Sequence, residues 1–217
     1  YRLRVTAATR DRTPTSDFVA QVVRRAKAQR ISYDRIAAWE HSLPGELVAA
    51  VNRGEFNGSL LSYGLLNPRY WTDALDIDTP DADAKWEAMV RIMDEMMRSA
   101  RQRGTPIVFA FAPAAFQYDP AYARCEPGAP CAYPGVTIRR AWSSAATEVE
   151  RRLSAWTAER GVPFLNLTPV YRGLGESGKN VHFPVDGHWN AAGQKLAADT
   201  ISRWLIEQRL FSLGHAA

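Results

Sequence analysis

The chain has no run of eighteen or more apolar residues, so nothing in it reads as a membrane-spanning helix. It has no charged start followed by an apolar stretch, and Tyr1-Arg-Leu-Arg-Val is not the pattern of a signal peptide. Only 2 cysteines and 4 histidines occur in 217 residues. Cys125 and Cys131 have no histidine or further cysteine near them to complete four ligands, which argues against a zinc site. The loop between them carries two prolines and a glycine, and a disulfide can close it. A bridge there would imply an oxidising compartment. The excess of positive charge, +4 with a pI near 9.2, comes from scattered arginines. The pairs Arg24-Arg25, Arg139-Arg140 and Arg151-Arg152 lack the clustering and interleaved aromatics of a nucleic-acid surface, so solvated helix faces are expected.

With 46% hydrophobic residues the chain is long enough to bury a substantial core, and one domain over 1–217 is the natural expectation. Its N-terminal part, 1–83, is weakly patterned. Residues 1–7 suit a short strand. A helix starting at Ser16 or Asp17 carries Phe18, Val19, Val22, Val23 and Ala26 on one face. Residues 31–57 hold short helical pieces broken by Pro44 and Gly45. Residues 59–66 are expected to be a strand or a buried turn, and Tyr70–Asp83, with five aspartates and Pro80, a surface loop.

From 84 to 206 the periodicity sharpens. Trp86, Met89, Val90, Met93, Met96, Met97 and Ala100 mark a long amphipathic helix ending near Arg103-Gly104. The methionines suit a core rather than a cofactor site. Pro106–Ala112 reads as a strand covered on both faces. Trp142, Ala145, Ala146, Val149, Leu153 and Trp156 mark a second helix, and Val162–Leu167 the next strand. The order helix, strand, helix, strand, helix predicts an α/β fold with a mainly parallel sheet. Catalytic loops in such sheets lie beyond the carboxyl ends of the strands.

In that position stands Phe183-Pro-Val-Asp-Gly-His-Trp-Asn-Ala-Ala-Gly193. Asp186 and His188 flank a glycine that permits a sharp turn. Asn190 is placed to cap a helix carrying Leu196, Thr200, Ile201, Trp204 and Leu205. A near match to a phosphate-binding loop, Gly173-Leu-Gly-Glu-Ser-Gly-Lys-Asn180, is rejected: Asn180 stands where Ser or Thr should be, and Val181-His-Phe-Pro184 opens no helix. Ser177, within it, lacks the strand-to-helix turn that exposes a nucleophile.

The Asp-Gly-His-Trp-Asn-Ala-Ala-Gly string resembles the last sequence block of the SGNH (GDSL-type) hydrolase superfamily. Its Asp-x-His-Trp form is similar to that of members acting on polysaccharide acyl groups, and Gly161–Val170 resembles the strand before that block. The resemblance covers roughly 84–206. It implies a three-layer α/β/α domain in which Asp186 and His188 complete a Ser-His-Asp triad. An imidazole, with an ordinary pKa of about 6.5, suits the base. No metal or organic cofactor is implied. Trp189 is a candidate pocket residue. Gly64 and Asn67 are candidates for the oxyanion-stabilising residues, although Gly64-Leu-Leu-Asn67 departs from the family spacing. The family's Gly-Asp-Ser nucleophile block occurs nowhere in the chain. With few strands on its N-terminal side, the domain is expected to be incomplete there, the Ser coming from a further N-terminal segment or a second chain. The implied function is an esterase acting on an acylated carbohydrate or small ester, in the periplasm or outside the cell. An O-acetyltransferase of the same superfamily, or a non-catalytic carbohydrate-binding or assembly module of that shape, are the alternatives.

Overall fold

The computed structural model describes residues 14–54, 58–120, 135–174, 181–183 and 187–210. The expected strand at 1–7, Asp186, and both Cys125 and Cys131 lie outside them. The described residues divide into two compact units, the boundary falling after Trp71, with 135–138 belonging to the first and the remainder to the second.

The first unit is helical: α1 (Pro14–Ala28), α2 (Tyr33–Ser42), α3 (Gly45–Asn52), α4 (Gly58–Leu66) and the start of α5 (Tyr70–Leu75). Val22 and Ala26 of α1 close on Ile36 and Trp39 of α2 and Leu65 of α4, giving a small apolar core. Two side chains of α2 use carbonyls of α4: Trp39 donates from Nε1 to Leu61 O at 2.9 Å, and Arg35 to Leu65 O at 3.1 Å. The strand or buried turn expected at 59–66 is therefore a helix. Its glycine, leucine and serine content shows no clear stripe over nine residues. At Gly58 a Cβ would lie 2.5 Å from the Phe18 ring, so a larger residue there would require that ring to shift.

The second unit holds α6 (Pro80–Gln102), β1 (Phe109–Phe111), α7 (Glu148–Glu159), β2 (Phe164–Asn166), α8 (Thr168–Arg172) and α9 (Ala191–Glu207). Short 3-10 turns at Ala115–Gln117 and Arg140–Ser143 precede α7. The expected Tyr70–Asp83 loop is instead α5 and the opening of α6. Thr79 accepts from the Ala82 amide and Pro80 supplies a preset φ, so this helix begins before its apolar stripe does.

β1 and β2 run parallel, with Phe109 opposite Phe164 and Phe111 opposite Asn166. Among the described residues the sheet is this one pair. The molecule is thus mixed α/β and mostly helical. Ala110 and Ala112 stay exposed, so the apolar run at 106–112 is not covered on both faces. Trp142 belongs to a 3-10 turn rather than to the helix predicted through it. The chain is interrupted at Thr147, where the Thr-x-x-Glu signal starts α7 afresh.

Glu150, 2% exposed, ties these pieces together. Its carboxylate accepts from the Thr147 amide at 2.8 Å, the Thr147 hydroxyl at 2.7 Å and Asn166 Nδ2 of β2 at 2.8 Å. Gln117, after β1, approaches from a third direction at 3.4 Å. Burial by itself raises the carboxyl pKa, but the Thr147 and Asn166 donors outweigh it and hold the group below its ordinary value. A depressed carboxyl contributes stability above its unfolded pKa that is lost as pH falls through the folded value. Thermal unfolding of the wild type should therefore lose midpoint on going from pH 7 into the acid range. Glu150→Gln should be less stable at pH 7 by about 1–3 kcal/mol and should show a smaller acid-side loss. Identical pH slopes for the two proteins would contradict this account.

Candidate functional site

The chain reaches the Asp186–His188 segment by way of 181–183. His182 and Trp189 face each other in an antiparallel bridge. Phe183 donates its amide to His188 O at 2.8 Å, and Asn190 donates to Val181 O at 3.1 Å. The two arms therefore form a short hairpin. It is closed by the Gly187 amide, which reaches Phe183 O at 3.1 Å with φ at +70°, a backbone conformation that glycine adopts without strain.

The hairpin is seated on the second unit's core. Trp189 stacks on Tyr171 with centroids 4.7 Å apart and planes 14° from parallel. Tyr171, fully buried on α8, donates its hydroxyl to Gly193 O at 2.6 Å. Burial pushes its phenol far up from the ordinary range, so it remains a donor. Asn190 caps α9 as the sequence predicts, Oδ1 accepting from Ala192 and Gly193 amides at 2.9 and 3.1 Å. The first turn of α9 then passes so close to the Val181 carbonyl that a Cβ on Gly193 would fall far inside contact distance of that oxygen. The same Cβ would lie 3.0 Å from Trp189 Cβ.

His188 is exposed, held at the hairpin end by backbone bonds to Phe183. Its predicted partner Asp186 falls outside the described residues. Trp189 is half-buried against Tyr171, and this contact makes it the seat of the loop.

Gly64 and Asn67 lie in the other unit. Gly64 is inside α4, and a Cβ on Gly135 would lie 3.1 Å from Gly64 Cα. Asn67 is exposed just after that helix. Its amide is spent on Tyr63 O at 2.8 Å and its carbonyl accepts from Tyr70 at 3.0 Å. Both bonds are made by the Asn67 backbone, and they form a helix-end turn.

Sequence reasoning missed His182, Tyr118 and Tyr171. His182 is 6% exposed, with Nδ1 3.3 Å from the Tyr118 hydroxyl and Nε2 3.5 Å from Asp119 Oδ2. The alternation of Val181, His182 and Phe183 opposite Trp189 was the available signal, and it is too short to read without the fold. Among the described residues no group of His, Cys, Asp or Glu is arranged to hold a metal ion. No helix there is long and apolar enough to cross a membrane.

No family model matches this chain, and neither a curated protein nor a solved structure is detectably similar to it.

Gly193 supplies a test in which two effects have opposite sign. Helix propensity alone makes Gly→Ala favourable by about 1 kcal/mol. The collision with Val181 and Trp189 should instead make Gly193→Ala destabilising by about 2 kcal/mol or more. Urea unfolding of the two proteins decides between them, and a stabilised variant would refute the close approach.

Proposed function

We propose that this chain carries the acid–base half of an SGNH-type acyl-ester site. In this reading His188 takes the proton from a seryl nucleophile. Asp186 holds the imidazole tautomer and stabilises the imidazolium that forms. The nucleophile comes from outside residues 1–217, because no Gly-Asp-Ser block lies within them. Attack on an ester carbonyl gives an acyl-enzyme. Water then releases the acid, giving esterase activity, or a sugar hydroxyl accepts the acyl group, giving an O-acetyltransferase from the same constellation.

The observation that carries the reading is the contrast within one hairpin. Trp189, Asn190 and Gly193 are each pinned by named bonds or contacts, and His188, the residue just before them, stands at the exposed end of the hairpin. A rigidly supported residue at an accessible position is what a positioned base needs. The resemblance of residues 183–193 supplies the chemistry. With it come the finer expectations: a three-layer α/β/α sheet built outward from the β1–β2 pair, an acylated carbohydrate or small ester as substrate, a Cys125–Cys131 bridge, and a periplasmic or secreted location.

Intact mass under denaturing conditions, followed by a serine-directed fluorophosphonate probe, tests the proposal. A polypeptide that accompanies or extends this chain should take up the probe, and His188→Ala should slow labelling by about 10²–10⁴-fold. Labelling unaffected by His188→Ala would remove the histidine from the mechanism. A chain that binds oligosaccharide yet takes up no probe would be a non-catalytic carbohydrate-binding module.

A further inference from the structure

The hairpin contains two histidines six positions apart, and they face opposite ways. Residues directly opposite one another in an antiparallel pair share a face, and the next pair takes the other face. His182 and Trp189 form the inward pair, 6% exposed and half-buried. Phe183 and His188 form the outward pair, with Phe183 52% exposed and His188 exposed.

Because the period is two residues, a slip of one would exchange the faces and bury the outward imidazole. Trp189 resists such a slip only by stacking, which tolerates sliding. His182 resists it with directional contacts. Its Nδ1 lies 3.3 Å from the Tyr118 hydroxyl and its Nε2 3.5 Å from the Asp119 carboxylate, and both partners stand just after the 3-10 turn that follows β1. The neutral tautomer with its proton on Nε2 suits both at once: Tyr118 donates to Nδ1 and Nε2–H points toward Asp119. Tyr118 is itself fixed, 3% exposed, with its ring 5.0 Å from Tyr171.

We propose that His182 is the positioning residue for His188. By engaging Tyr118 and Asp119 it sets the register of the hairpin against the turn after β1, and so decides which imidazole faces out. The inference rests on the acyl-ester reading for the role of His188, but its geometry can be tested without any activity.

Amide hydrogen exchange on the purified protein is the test. In His182→Leu, which keeps the site apolar and removes both polar contacts, the Phe183 and Asn190 amides should exchange about tenfold faster or more. The Phe109 and Leu167 amides of the β1–β2 pair should stay within about twofold of wild type. Tyr118→Phe should give an intermediate effect, and it also serves if His182→Leu does not fold. His182→Asn, whose side-chain oxygen can accept from Tyr118, should recover part of the protection. Unchanged hairpin amides, or a uniform rise that includes β1–β2, would overturn the proposal.

Fluorophosphonate labelling of the same variants separates the two ideas. A labelling rate that falls in step with hairpin loosening supports both. A loosened hairpin in a protein that never labels leaves the positioning intact and removes the acyl-ester reading.

Discussion

The second unit depends on one close approach, that of the first turn of α9 to the backbone of residue 181. At Gly193 there is no room for a side chain, and the Val181 carbonyl that fills the space also accepts the Asn190 amide. A single carbonyl thus serves as a strand partner and as the surface against which the helix starts. Tyr171 closes the arrangement from beneath, its hydroxyl on the Gly193 carbonyl and its ring under Trp189. Each of these groups constrains the backbone on either side of His188, which stands exposed at the hairpin end.

A second constraint acts at the strands. Glu150 is a buried carboxylate whose donors come from the start of α7, from β2 and from the turn after β1. A charge removed from water is tolerated only when its lone pairs are filled. Because those donors belong to segments distant in sequence, filling them sets the spacing of the strands to α7. Polar satisfaction here does the organising that a larger apolar core does elsewhere. The same turn after β1 delivers Tyr118 and Asp119 to His182, so the strand tie and the hairpin seat share one stretch of chain.

How much of this was legible depended on whether the determining contact was local. α6 and α9 stand out because their apolar stripes are long and periodic. The Asn190 cap could be read because its partners are two and three residues away. The Thr147–Glu150 signal was equally local, yet the periodic match of Trp142 and Ala145 to the following helix masked it. α4 was misjudged because its nine residues are too short and too evenly apolar to show a stripe. α5 was hidden by its brevity and by the aspartates that follow it. His182 could not be recognised at all, since what distinguishes it from any other loop histidine is contact with Tyr118, sixty-four positions away in the chain. The His188 hypothesis came from resemblance of a string, and the physical context of that string came from the fold.

Arg172 carries a consequence of a different kind. Its guanidinium donates to the carbonyls of Gln117, Trp142 and Ala145 at 2.9, 2.7 and 2.9 Å, gathering the two 3-10 turns onto the end of α8. Neither side of that junction gains or loses a proton in water, because the guanidinium does not deprotonate and the carbonyls are not bases. The scaffold therefore contains a fastening indifferent to acidity beside another, at Glu150, that is sensitive to it. On acidification the two junctions should part company, the Glu150 tie weakening as its carboxylate takes up a proton while the turns around Arg172 remain gathered.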